Sequence, residues 1–190
     1  MIEGNKVIIR QLELGDEDFL HKWRNDAKGN LYCGFQYGFL LSKEAFRLEL
    51  KDQIENRQVF TKDKLFIICK KEDLTPIGDI SYRNWDHRNR SAEFGIEIGE
   101  VDERSKGYGF DALYHFIDYM FNSLNLHRIE LTTFADNLKA QKLYDRLGFK
   151  TIGIMREASF DSRTASYMNI LYMDLLRREW DEIKANMVNN

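Results

Sequence analysis

Apolar and polar positions alternate with a period of two over Lys6 to Gln11, which predicts a strand with one buried face. Asp16 then stands where a helix cap is expected, and Phe19, Leu20 and Trp23 share one face of a helix running through Asn25. Gly29 to Leu41 breaks the pattern. Glycines at 29, 34 and 38 lie among Tyr32, Phe35, Tyr37 and Phe39, which reads either as aromatics packing a core edge or as an apolar flap. Ser42 opens a second helix to about Asn56. From Leu65 the period returns to two, over Leu65 to Lys70, Ile77 to Asn84 behind the turn at Thr75 and Pro76, and Ala92 to Ile98. Their short connections predict antiparallel neighbours.

A long amphipathic helix follows, on which Phe110, Leu113, Phe116, Ile117, Met120, Phe121 and Leu124 recur at helical spacing. After a strand over Arg128 to Thr133, Asp136 or Asn137 caps a short helix whose Ala140, Leu143, Tyr144 and Leu147 line one side and which Gly148 stops. Strands over Lys150 to Arg156 and Ser166 to Leu175 precede a polar terminal helix. The order is strand, two helices, three strands, helix, strand, helix, two strands, helix. It predicts an α+β fold, a mixed sheet with helices on its faces. No repeat, low-complexity tract or glycine-serine linker marks a boundary, so residues 1–190 are expected to form one domain.

Composition narrows the function. The chain has 190 residues, 43% of them hydrophobic, and a single proline, enough material for a core and unlike a disordered chain. A net charge of -3 gives no global basic field, so no DNA partner is expected and an RNA-binding role is disfavoured. No apolar run reaches the length of a membrane span, and no basic-then-apolar leader opens the chain. Cys33 and Cys69 form no C-x-x-C pair and read as reduced thiols, so a cytoplasmic location with no membrane partner is expected. His21, His87, His115 and His127 are scattered without ligand spacing, so no metal is expected, and no G-x-S-x-G elbow is present.

The chemistry concentrates after the third central strand. That strand runs through Gly99 into Val101-Asp102-Glu103 and then Arg104-Ser105-Lys106-Gly107-Tyr108-Gly109 at a helix start. Strand, glycine loop and helix form an anion-binding arrangement, because the first turn of a helix has unpaired N–H groups and glycines let oxygens approach the backbone, although a bare G-x-G by itself reads equally as an ordinary helix-start turn. Arg104 and Lys106 add positive charge. The loop lacks the G-K-S/T of a Walker loop and the G-x-G-x-x-G of a dinucleotide site.

Arg104-x-x-Gly107-x-Gly109, followed by Ala135-x-Asn137-x-x-Ala140-x-x-x-Tyr144-x-x-x-Gly148-Phe149, resembles the two acetyl-CoA-binding segments of the GNAT acetyltransferases. Within that family the chain looks most like the branch that acetylates ribosomal-protein N-termini and polyamines. The resemblance implies a mixed, mainly antiparallel twisted sheet with helices on both faces, and acetyl-CoA as co-substrate. It also implies that backbone N–H groups over Arg104, Ser105, Lys106, Gly107, Tyr108 and Gly109 hold the pyrophosphate. The strand end at Ile96, Ile98 and Val101 would pair with the pantetheine arm, Asn137 would bond the same arm, and Tyr144 would reach the sulfur. Polyamine-acetylating relatives carry an acidic cluster between the first two helices, whereas Tyr32 to Leu41 has no Asp or Glu, which argues against spermidine.

Acetyl transfer to an amine needs a group to take the ammonium proton, stabilisation of the oxyanion, and a proton or hydrogen bond for the departing thiolate. Tyr144 suits the last task. Glu93, Gly95 and Glu97 share one strand face, with Phe94, Ile96 and Ile98 on the other. Glu93 is the first candidate base and Glu97 the second, against the reading of each as a solvent-facing glutamate. The expected activity is direct N-acetylation of a primary amine, on a small molecule, an amino sugar or a peptide N-terminus, by a monomer or homodimer. The alternative is a coenzyme A-binding sensor or interaction module without turnover.

Overall fold

The computed structural model describes residues 1–27, 29–30, 37–55 and 61–188. Its eight strands are β1 (Ile2–Glu3), β2 (Val7–Gln11), β3 (Lys64–Lys70), β4 (Pro76–Asp86), β5 (Ser91–Ile98), β6 (Arg128–Phe134), β7 (Lys150–Asp161) and β8 (Ser166–Leu176). The five helices are α1 (Glu17–Asn25), α2 (Lys43–Glu55), α3 (Tyr108–Asn122), α4 (Leu138–Arg146) and α5 (Arg177–Val188). The strands form one sheet in the order β1-β2-β3-β4-β5-β6-β8-β7. Every neighbouring pair is antiparallel except β5 with β6.

Two apolar layers hold the sheet. On one face Leu113, Phe116, Ile117 and Met120 of α3 and Trp180 of α5 pack with Phe66, Ile80, Tyr82, Phe94, Ile129 and Leu175. On the other, Leu20 and Trp23 of α1 and Phe46 and Leu50 of α2 cover Ile67 and Cys69. Because β3 is covered on both sides, its apolar residues run without alternation from Leu65 to Cys69. Burial pushes the Cys69 thiol pKa up, and Cys69 forms no disulfide. Among the described residues no helix is long and apolar enough to cross a membrane.

Three local readings differ from the sequence pattern. Asp16 does not cap α1 with its side chain. Its carboxylate instead accepts two hydrogen bonds from Arg10, at 2.7 and 2.8 Å, and one from the Glu13 N–H at 2.8 Å, a charge-assisted set that outcompetes a lone backbone donor. Strand β1 has only two residues, too few for a periodic signal. It is tied down through Asp111 in the first turn of α3, which accepts the N–H groups of Asn5, Lys6 and Val7 at 3.1, 2.7 and 3.1 Å. The expected flap falls partly on residues 31–36, outside the described residues; at its ends Asn30 is buried while Tyr37 and Leu40 are exposed.

Candidate active site

Parallel pairing between β5 and β6 is short. It joins Ser91, Ala92 and Glu93 to Arg128, Ile129 and Glu130, after which β5 continues to Ile98 and β6 to Phe134 without pairing to each other. The strands therefore part, and each presents a free backbone edge to the gap. An extended polar chain entering this slot would meet donors and acceptors at strand spacing.

At the wide end of the slot stand the starts of α3 and α4. Ser105 and Gly107 both take left-handed backbone, with φ of 67° and 92°, which turns the chain sharply into α3. The first N–H of α3 to find an acceptor is that of Asp111, bonded to Gly107 O at 3.1 Å; those of Tyr108, Gly109 and Phe110 precede it and lack an intrahelical partner. A Cβ at Gly109 would lie 3.8 Å from Ile98 and 3.9 Å from Leu143, so β5, α3 and α4 converge there. Lys139, in the first turn of α4, donates to the Ser105 hydroxyl at 2.6 Å across the mouth.

The two cations expected at this loop are otherwise engaged. Arg104 turns to the opposite side, donating from Nε to Ile98 O at 2.7 Å and from Nη1 to Gly29 O at 3.2 Å, with Nη2 at 3.7 Å from Glu97. Its backbone N–H bonds Val101 O at 3.2 Å, so it too is occupied. Lys106 pairs with Glu103 at 2.9 Å. Of the proposed pantetheine contacts, Ile96 and Ile98 pack their side chains against the core and Val101 is half exposed in the turn beyond β5. Asn137 caps α4, its Oδ1 accepting the Ala140 N–H at 3.2 Å.

Tyr144 is buried on α4, its ring packed edge-on against Phe94 at 5.9 Å and near Phe149 at 6.1 Å. Burial pushes its pKa to about 12, so the phenol stays protonated at neutral pH and is available as a hydrogen-bond donor.

The two glutamates occupy one sheet face in different surroundings. Glu93 sits where the strands part. Its Oε1 accepts from Arg83 at 2.9 Å and from Thr132 of β6 at 3.2 Å, so its carboxylate spans the narrow end of the slot. Glu97 is directly opposite Asp79 of β4 and lies beneath α1. The Arg24 guanidinium reaches both carboxylates, Nη1 to Glu97 at 2.6 Å and Nη2 to Asp79 at 2.9 Å. Burial first, and the neighbouring Asp79 second, raise the Glu97 pKa to about 7. Burial likewise raises that of Asp79, whose second carboxylate oxygen has no hydrogen-bond partner among the described residues. Sequence reasoning missed Asp79 and Arg24. The usable signal was a single charge inside the apolar run Ile77 to Ile80.

A sheet that opens after one short parallel pairing, with a glycine-rich helix start at the mouth, defines a class of coenzyme A-dependent acyltransferases. The acetyltransferase (GNAT) domain model matches residues 6–150, and the chain belongs to this family. It is 27% identical over 177 residues to a spermidine N(1)-acetyltransferase of Vibrio cholerae, covering 93% of this chain and 96% of that protein. A putative ribosomal N-acetyltransferase of Bacillus subtilis is 33% identical over 104 residues, 55% of each chain. Among solved structures, spermidine N-acetyltransferase from Vibrio cholerae in complex with CoA and spermine superposes with a TM-score of 0.81 at 26% identity, over 92% of this chain and 98% of that one. The protein is thus an N-acetyltransferase that uses acetyl-CoA to acetylate amines.

Proposed function

We propose that the amine attacks the thioester directly, in a ternary complex assembled where β5 and β6 part. The observation that carries this reading is the coincidence, at that point, of the slot, the Glu93 carboxylate and the Tyr144 ring. The pantetheine arm lies along the free edge of β5 past Ile96, Ile98 and Val101, with Asn137 facing it. The pyrophosphate rests on the loop from Ser105 to Gly109. Glu93 takes the ammonium proton, directly or through a water. The amine nitrogen then bonds the carbonyl carbon, the C–S bond breaks, and Tyr144 donates a hydrogen bond to the departing sulfur. With a pKa near 12 against about 8.5 for a thiol, the phenol aids chiefly as a hydrogen-bond donor rather than by complete proton transfer. Direct transfer suits the position of Cys69, which is buried beneath α1 and α2 two strands away from the slot.

The acceptor approaches over the face left open beside α1 and α2, where Glu93, Glu130 and Asp174 lie on adjacent strands with Arg83 and Arg128 among them. A primary amine on a small molecule, an amino sugar or a peptide N-terminus fits this setting. The absence of Asp and Glu from Tyr32 to Leu41 weighs against spermidine as the preferred acceptor. The test is thiol release from acetyl-CoA against a broad panel of amines, with Tyr144→Phe beside the wild type. We expect Tyr144→Phe to lower kcat by roughly tenfold to a thousandfold at nearly constant KM for acetyl-CoA. A chain that binds coenzyme A and turns over no amine would be a sensor and would overturn the proposal.

A further inference from the structure

The phosphate loop needs positive charge, and the residues that the motif supplies for it do not provide it. Arg104 is turned toward Glu97, Ile98 and Gly29, and Lys106 is paired with Glu103. The turn leading into the loop is itself acidic, with Glu100, Asp102 and Glu103. Coenzyme A brings a pyrophosphate and a 3′-phosphate, the latter alone carrying roughly -1.5 to -2 at neutral pH. Helix N-termini contribute only partial charges.

Two lysines from distant parts of the chain flank the loop. Lys139 Nζ donates to the Ser105 hydroxyl at 2.6 Å on the α4 side. Lys6 Nζ donates to Lys106 O at 3.0 Å on the β2 side, and lies 3.3 Å from where a Gly107 Cβ would be. Both ammonium groups are exposed and bonded to neutral oxygens, and among the described residues neither is paired with a carboxylate. Each keeps its net charge and spare donors for a ligand. Lys6 is held there by its own backbone, since the Asp111 carboxylate fixes the N–H groups of residues 5–7 to the first turn of α3. Lys139 is held by α4, which Asn137 caps.

We propose that Lys6 and Lys139 are the phosphate-binding cations of this enzyme, gripping the phosphates of coenzyme A from the two sides of the loop, in the place where the motif suggests Arg104 and Lys106. The proposal rests on the coenzyme site described above. The motif marks the loop, while the charge that holds the anion comes from the turn before β2 and from α4.

Calorimetric titration tests it with three ligands, coenzyme A, dephospho-coenzyme A and phosphate-free pantetheine, on the wild type, Lys6→Met, Lys139→Met, the double variant and Lys106→Met. Each single lysine variant at 6 or 139 should bind coenzyme A about tenfold more weakly, and the double variant roughly a hundredfold more weakly, with a shallower salt dependence. Lys106→Met should change affinity less than either. Lys6→Arg and Lys139→Arg should restore most of the loss. A variant whose loss vanishes with dephospho-coenzyme A assigns its lysine to the 3′-phosphate, and one whose loss persists assigns it to the pyrophosphate; both support the proposal. Unchanged coenzyme A affinity in the double variant, or an equal loss for pantetheine, would overturn it. Failure of the wild type to bind coenzyme A at all would instead remove the coenzyme site on which it rests.

Discussion

Replacing Glu97 by glutamine should flatten the pH dependence of folding stability. The Glu97 carboxyl lies beneath α1 opposite Asp79, and burial together with that like-charged neighbour holds its pKa at about 7, against 4.5 for an unperturbed glutamate. The folded chain therefore binds the proton more tightly than the unfolded chain does. The stabilisation is fully present below the unfolded pKa and is lost as pH rises through the folded one. A shift of this size amounts to about 3 kcal/mol in all, of which roughly 2 fall between pH 5 and pH 8. Glutamine has the shape of the protonated acid and no proton to lose. Asp79, freed of a charged neighbour, adds to the flattening. The assay is urea unfolding of wild type and Glu97→Gln at pH 5 and pH 8, with stability taken from the midpoint and slope. The variant should lose roughly 2 kcal/mol less than the wild type over that interval. Parallel profiles for the two proteins would refute the buried-carboxylate account of Glu97 and return it to the list of solvated bases.

Gly109→Val tests the phosphate cradle, because its Cβ has ordinary contact distances of 3.8 and 3.9 Å while its branches would fill the space meant for phosphate oxygens. Coenzyme A affinity should fall tenfold or more by calorimetry at nearly unchanged thermal stability; Gly107, at φ 92°, is a poorer choice since valine there strains the backbone. Glu93→Gln should lower kcat/KM by an amount that shrinks from pH 6 to pH 9 as free amine accumulates, while Glu97→Gln stays mild; wild-type rates in both across that range would leave the strand without a base. Gly99→Ala would place a Cβ 2.2 Å from Trp23 Cγ, so it should destabilise the fold by roughly 1 to 3 kcal/mol in urea unfolding, and an unchanged midpoint would refute that packing.

Local order determined much of this protein before any tertiary contact is considered. Local patterns mark seven of the eight strands and the first four helices close to their observed bounds, because each pattern reflects which side of one element meets the core, although β7 runs on to Asp161 past the expected Arg156 and the terminal helix is legible only as a polar segment after Leu175. Asn137 as a cap and Gly148 at φ 90° are equally local, set by the needs of one helix end. The phosphate loop is legible for the same reason, since glycine spacing and a helix start lie within a few residues of each other. What only the tertiary structure decided is non-local. Strand β5 keeps its apolar alternation through Phe94, Ile96 and Ile98, past the point where it parts from β6, so nothing along it announces that pairing stops after Glu93. Arg104 lies in the motif yet turns away from the loop, because the Ile98 and Gly29 carbonyls accept from its guanidinium and the half-buried Glu97 carboxylate lies 3.7 Å from it. Lys6 and Lys139 are separated by most of the chain and meet the loop only because Asp111 pins the N-terminal hairpin to α3 and the β6 strand carries α4 to the other side. Periodicity encodes which face of an element is buried; which charge ends beside which depends on loop closures that leave no trace in the spacing of residues.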